Sequence, residues 1–315
     1  MAEPRAGAAV TAPRPAGDAP REGQTFAGEG GFARWASFVK LPHTIFALPF
    51  ALVGVTFATR VAPIDVATVG WVVLAFTCAR WVAMAVNRIV DREYDARNPR
   101  TAGREIPRGV IGVAEAWGTV AIAAALFVWA AYELNPLCFA LSPVALGWVC
   151  FYSFTKRFTR YAHLVLGLGL AIAPVGGYLA VTGAWSDPWW LLVALTVGVM
   201  TWSGGFDILY ALPDIEFDRS QGLHSIPAAL GVPRAIGVSR ALHLMTVAAL
   251  SVAVWTAGAG MLAWVGVLVA AAILAYEHSL VSSDDLSKLD AAFFTVNGVI
   301  SLTFFAFVLA DRVFG

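Results

Sequence analysis

The sequence predicts an all-helical membrane protein, a polytopic bundle of nine transmembrane helices. Three observations carry that prediction. Hydrophobic residues fill 59% of the 315 positions and charged residues 13%, against roughly 25% charged in an average soluble domain. From residue 41 onward, apolar runs of membrane-spanning length alternate with short polar breaks. The basic residues gather in every second break, the pattern of loops on one side of a bilayer.

Residues 1–33 are a different material, Ala, Pro and Gly with scattered charges of both signs, and read as a disordered tail. They lack the apolar core of a signal peptide. Glu3, Asp18, Glu22 and Glu29 argue against an organellar transit peptide. The transmembrane domain is expected over 34–315. Its spans fall near 41–60, 66–88, 112–132, 137–154, 163–183, 189–210, 235–256, 260–278 and 290–310. Pro49, Pro143, Pro174, Gly176 and Gly177 lie inside these runs, which membrane bundles tolerate because neighbouring helices re-satisfy the backbone. Cys78, Cys138 and Cys150 all sit in apolar runs without a CxxC spacing, so they read as buried small hydrophobes. A formal net charge of zero, with no basic tract, excludes a global field for nucleic acid.

Orientation follows from the arginines and lysines. The break after the second span carries Arg88, Arg92, Arg97, Arg100, Arg104 and Arg108, and that after the fourth carries Lys156, Arg157 and Arg160. Arg219, Arg234, Arg240 and Lys288 continue the series, whereas the other side offers only Arg60 and Arg312. This places the N-terminus and the basic loops in the cytoplasm of a cell that carries the protein in its plasma (inner) membrane.

Two acidic motifs lie on that same side. In the first, Asn87, Asp91 and Asp95 stand four residues apart, about 6 Å per step along one helical face. The helix must stop near Asn98-Pro99, and the following loop returns Arg100, Arg104 and Arg108 toward the acids. Carboxylates that close repel unless a cation sits between them, and guanidinium forks suit phosphate oxygens. A cytosolic connector laced with surface ion pairs accounts for this motif equally well when it is taken alone. In the second, Asp207 lies inside an apolar run, two turns before Asp214, with Asp218 four residues further. An Asp inside a span costs about 2.5–3.5 kcal/mol on insertion scales, which marks it as functional unless a basic residue such as Arg80 pairs with it. Pro213 either kinks that helix or starts a new one, and Gly204-Gly205 adds a weak point. The two motifs, separated by four helices, suggest duplicated halves with a site between them. They point to a divalent metal with a diphosphate.

Smaller signals are ambiguous. Tyr152-x3-Lys156 with Arg157 and Arg160 reads as membrane anchoring or as a phosphate cluster. Glu277, His278, Asp284 and Asp285 read as a solvated loop. His43, His224 and His243 show no zinc or haem spacing. The abundant Phe and Trp residues read as packing or lipid-facing aromatics, some of them suited to lining a tunnel for an isoprenoid chain.

These residues resemble the UbiA superfamily of intramembrane prenyltransferases, from about residue 35 to the end of the chain. Asn87-x3-Asp91-x3-Asp95 with Arg100-Thr101-Ala102 and Arg104-x2-Pro107-x-Gly109 is similar to the first family motif. Asp207-x2-Tyr210-Ala211-x2-Asp214-x3-Asp218 is similar to the second, and Tyr152-x3-Lys156 to a third short element. His224-Ser225-Ile226-Pro227 and Tyr276-Glu277-His278-Ser279-Leu280 look like a bacterial 4-hydroxybenzoate polyprenyltransferase-like subgroup, some of it tied to futalosine-type menaquinone synthesis. Arg88 departs from the pattern, since many relatives carry a second acid there.

The resemblance implies two Mg²⁺ ions, held by Asn87, Asp91 and Asp95 on one side and by Asp214 and Asp218 on the other, and a polyprenyl diphosphate as donor. It implies that Lys156, Arg100 and Arg104 neutralise departing pyrophosphate, that Tyr152, Arg108 and Tyr210 contact substrate, and that Asp207 orients the acceptor or takes the ring proton. The acceptor is a hydroxylated aromatic acid, 4-hydroxybenzoate or a dihydroxynaphthoate, for ubiquinone or menaquinone synthesis. Haem or a chlorophyllide as acceptor, and a divalent-cation transporter, stand as alternatives. Beyond the bilayer and these small molecules, no protein partner is implied.

Overall fold

The computed structural model describes residues 30–282, 286 and 296–315, without the side chains of 42–46. The expected tail over 1–29 and the two acids Asp284 and Asp285 lie outside the described residues. The chain is already helical from Gly31: α1 (Gly31–Phe38) occupies the end of the stretch read as tail. The described residues hold helices and turns and no strand. The long elements are α2 (Leu41–Ala58), α3 (Val66–Val90), α5 (Val113–Leu134), α6 (Pro136–Phe151), α7 (Ala162–Thr182), α8 (Trp190–Tyr210), α11 (Val232–Thr256), α12 (Met261–Ser279) and α13 (Asn297–Phe314). Eight described helices are long and apolar enough to cross a membrane; α2 contributes a shorter apolar segment, Ala47–Ala58. These nine match the nine expected spans, within the residues described.

Local chemistry fixes several boundaries. Asp65 caps α3 by accepting from the Thr68 amide at 2.7 Å. Asn135 caps α6 through the Cys138 amide at 2.9 Å and donates to the Leu179 carbonyl of α7, also at 2.9 Å. Backbones approach closely where small residues permit it. A Cβ on Gly54 of α2 would stand 1.9 Å from the Pro174 carbonyl oxygen of α7, and one on Gly177 2.2 Å from that of Ala51. Helix α8 is the most enclosed, with 67% of its apolar window buried, and it packs between α7 and α11. One core joins α2, α7, α8, α11, α12 and α13; a second joins α1, α3, α5 and α6.

Short helices follow the spans that carry the motifs. After α3 comes α4 (Arg92–Arg97), and after α8 come a 3-10 turn (Leu212–Asp214), α9 (Ile215–Ser220) and α10 (Ile226–Leu230). Pro213 therefore begins a new segment after α8. Helix α8 runs unbroken through Gly204-Gly205, which are sites of close packing and not weak points: a Cβ on Gly205 would lie 2.3 Å from His243 Nε2. At the far end of the bundle Arg60 pairs with Asp311 at 2.5 Å and Arg312 donates to the Thr59 hydroxyl at 3.0 Å. The few basic residues of that side are thus tied into helix ends.

Candidate active site

A cavity of about 220 Å³ lies at the end of the bundle where both motifs sit, lined by residues from each. Asn87 is in the last turn of α3, Asp91 at the junction and Asp95 in α4, so the first acidic stripe crosses a helix boundary. Asn98 follows as the C-cap of α4, where the helix was expected to stop. On the other side Asp207 is in α8, Asp214 ends the 3-10 turn and Asp218 is in α9. The break after Tyr210 separates Asp207 from the face it would share with Asp214 in one continuous helix, yet all three line the cavity.

The acids are engaged mostly by nearby cations. Asp91 accepts from Asn87 Nδ2 at 3.0 Å and from Arg157 at 3.1 Å. Both oxygens of Asp95 accept from Arg104 Nη1, at 2.7 and 2.8 Å. Asp214 accepts from Arg100 Nε at 2.9 Å and Asn98 Nδ2 at 3.0 Å, with a second bond from Arg100 Nη2. These last contacts tie the loop of the first motif to the second. Asp218 accepts from the Ser225 hydroxyl at 2.8 Å, and Ser225 also caps α10. Lys156, in the 3-10 turn Tyr152–Arg157, lies within electrostatic reach of Asp91, Asp207, Asp214 and Asp218.

The charge balance is uneven. Burial pushes the Asp91 carboxyl above the usual carboxylate range, against Lys156, Arg157 and Arg104, which favour its ionised form. Burial likewise pushes Asp218 up, more than Lys156 and Ser225 hold it down. For Asp214 burial is outweighed by Arg100 and Asn98, and its carboxyl is held low. In one carboxylate from each motif, Asp91 and Asp218, burial thus disfavours the charged form despite the cations nearby, and a bound metal ion would favour it. The donor set is all oxygen and amide, which suits Mg²⁺. No group of three or more acidic, His or Cys ligands converges among the described residues. Mg²⁺ needs no such cage, because it binds through one or two carboxylates, water and substrate phosphates. The residues fit that ion.

The expected substrate contacts divide. Tyr152 and Tyr210 line the cavity; Arg100 stacks over the Tyr210 ring at 4.9 Å. Arg108 stands apart from them: it is exposed, outside the cavity, in the turn before Gly109, whose φ of 70° turns the chain away toward α5. Arg80 does not pair with Asp207. Helix α7 supplies that partner in His163, fully buried, whose Nδ1 lies 2.7 Å from Asp207 Oδ2. Sequence reasoning passed over His163 because a lone His at the start of a span has no spacing signal. It also passed over Lys40, whose Nζ donates to the Tyr210 hydroxyl at 3.4 Å; in the sequence Asn98 reads only as a helix end and Arg157 only as part of a basic cluster, not as partners of Asp214 and Asp91.

Glu277 and His278 are not a loop. They belong to α12, and Glu277 is fully buried. Asn297 donates to Glu277 at 3.0 Å and accepts from Trp202 Nε1 at 3.0 Å; His243 Nε2 donates to the Trp202 carbonyl at 3.2 Å, which leaves its Nδ1 to accept from His278 at 2.9 Å. This network stands behind Trp202 and Asn297, both of which line the cavity. A second, apolar cavity of about 420 Å³ lies among α3, α5, α6 and α7 and shares Arg80, Tyr152, Leu166 and Leu170 with the first.

Comparison with known proteins agrees with this architecture. Residues 47–305 match the family model described as the UbiA prenyltransferase family. A 4-hydroxybenzoate octaprenyltransferase of Azotobacter vinelandii is 33% identical over 209 residues, 65% of this chain and 70% of that protein. Its namesake from Citrobacter koseri is 26% identical over 233 residues, 73% and 79% of the two chains. Among solved structures, a UbiA homolog from Aeropyrum pernix K1 is 32% identical, with a TM-score of 0.78 over 85% of this chain and 98% of its own. A UbiA homolog from Archaeoglobus fulgidus, solved bound to DMAPP and Mg²⁺, shares the fold at 20% identity, with a TM-score of 0.69 over 90% and 100% of the chains. This chain is a multi-pass membrane protein and belongs to the UbiA prenyltransferase family.

Proposed function

We propose that the protein transfers a polyprenyl group from its diphosphate to a hydroxylated aromatic acid of the 4-hydroxybenzoate type, releasing pyrophosphate at the cytoplasmic face of the plasma (inner) membrane in quinone synthesis. The observation that carries this reading is the junction of the two cavities. One end holds the acids of both motifs and the arginines of the first; the other is apolar and suits an isoprenoid chain. The names of the relatives and the Mg²⁺ and DMAPP of the Archaeoglobus structure support the same reading. The basic loops beside the cavity support the cytoplasmic orientation.

Mg²⁺ would be held by Asn87, Asp91 and Asp95 from one motif and by Asp214 and Asp218 from the other. When bound, it supplies positive charge at the phosphate oxygens of the leaving group. Arg100 and Arg104, which neutralise Asp214 and Asp95 in the structure, exchange those carboxylates for phosphate oxygens as the donor enters. Together with Lys156 they stabilise the pyrophosphate as the allylic carbon–oxygen bond breaks. Tyr152 and Tyr210 border the resulting allylic cation and the acceptor. Arg80, half-buried at the junction with its Nε enclosed and unpaired, takes the acceptor carboxylate. A ring carbon activated by the acceptor's hydroxyl then attacks the cation, and Asp207, oriented by His163, accepts the proton that the ring loses.

Purified protein supplied with Mg²⁺ and a prenyl diphosphate, offered 4-hydroxybenzoate, a dihydroxynaphthoate and haem side by side, tests this proposal. Prenylated hydroxybenzoate is the expected product. A dihydroxynaphthoate product would move the protein to menaquinone synthesis, and absence of pyrophosphate release with every acceptor would overturn the reading.

A further inference from the structure

We propose that Arg88 is a direct ligand of the donor diphosphate, a fixed cation in the wall of the cavity whose charge the buried carboxylate of Glu105 offsets. This rests on the functional reading above and deepens it. Arg88 is 2% exposed and lines the cavity, yet all three of its guanidinium nitrogens are buried without a hydrogen-bond partner. Glu105 is 4% exposed, and both its carboxylate oxygens are equally bare. The two lie within electrostatic reach, so Glu105 balances the charge of Arg88 without satisfying its N–H groups.

A buried charge persists only where something balances it, and its donors remain costly until something accepts from them. Here Glu105 supplies the balance, and the acceptor has to come from the cavity. Two further cations, Lys40 and Arg104, stand close enough to Arg88 to repel it. Once Arg104 exchanges Asp95 for phosphate oxygens, as proposed above, this cluster suits a ligand with more than one negative charge. Phosphate oxygens also match the guanidinium fork in geometry. Position separates this ligand from the acceptor carboxylate. Arg88 adjoins Asn87 at the level of the first motif, while Arg80 lies two turns deeper, about 12 Å along α3.

The test uses Arg88→Gln, Arg88→Lys, Glu105→Gln and the double variant Arg88→Gln/Glu105→Gln, each as the full chain in detergent. Calorimetry gives the Kd for farnesyl diphosphate with Mg²⁺ and with the metal chelated; thermal unfolding and the KM for the aromatic acceptor are measured alongside. Arg88→Gln is expected to weaken diphosphate binding about tenfold or more under both conditions, the scale of a lost charge-assisted hydrogen bond, with acceptor KM unchanged. The double variant is expected to recover the unfolding temperature and not the affinity. Recovery of both would overturn the proposal, because Arg88 would then serve only to neutralise Glu105. Arg88→Lys keeps the charge and loses the fork, so it carries the comparison should the glutamine variants not fold: binding weakened several-fold supports the proposal, and unchanged affinity overturns it. If the unaltered protein binds no prenyl diphosphate, the functional reading falls and takes this inference with it.

Discussion

Replacing His163 with leucine separates the orientation of Asp207 from the integrity of the bundle. His163 is fully buried, its Nδ1 bonds Asp207 at 2.7 Å, and its Nε2 is buried without a partner. Leucine is close to it in volume and removes that unsatisfied nitrogen, which offsets part of the stability lost with the bond to Asp207. The Asp207 side chain keeps 22% exposure toward the cavity and Lys156 within electrostatic reach, so it is not stranded. What disappears is one hydrogen bond to a carboxylate, worth about 1.5–3 kcal/mol. At about 1.4 kcal/mol per tenfold in rate, the loss corresponds to roughly 10- to 150-fold in kcat if the proton leaves through an oriented Asp207. The assay is pyrophosphate release with Mg²⁺, prenyl diphosphate and 4-hydroxybenzoate, beside a thermal unfolding curve. An intact unfolding temperature with kcat within twofold of the unaltered protein would refute the role given to this pair.

Other consequences follow from the same geometry. Gly205→Ala drives a Cβ to 2.3 Å from His243 Nε2; it is expected to cost about 1–3 kcal/mol of stability, read by thermal unfolding. Asn297→Leu cuts the bond to Trp202 and leaves the Glu277 oxygen without its donor; a loss of about 1–3 kcal/mol is expected, and an unchanged melting curve would contradict the network. Burial lowers the Lys40 amine to about 8, with Arg104 and Arg88 adding to the effect against Tyr210. The charged form is therefore present below that pH and lost as pH rises through it, so diphosphate affinity measured with metal chelated should fall between about pH 7 and 9. Lys40→Met should bind more weakly at pH 7 and show a flatter profile, by calorimetry.

The spans and both acidic stripes were legible because hydropathy and four-residue spacing are local properties of the chain. The arginines of the loop after the first motif were legible as a type, and the structure supplies their partners: Arg104 on Asp95 and Arg100 on Asp214. Arg108 had the same local signature and lies outside the cavity, because a turn of backbone decides which of three arginines faces inward. Contacts between distant helices left no local trace. His163 meets Asp207 across 44 positions, and Asn297 meets Trp202 across 95. Glu277 and His278 looked like loop residues because charge usually marks the end of a span, whereas here the polar partners come from α11 and α13. Gly204-Gly205 looked like a break for want of knowing that His243 presses against the second glycine.

The central claim is that two motifs, far apart in sequence, act on one metal–diphosphate complex. A double-mutant cycle on Asp91 and Asp218, the carboxylates whose charged form burial disfavours, tests it most directly. Mg²⁺-dependent binding of a prenyl diphosphate is measured for Asp91→Asn, Asp218→Asn and the pair together. If both motifs hold one complex, either change removes most of the Mg²⁺-dependent affinity and the pair is little worse than each alone. Independent, additive losses, or a motif whose acid can be changed without effect, would contradict the account.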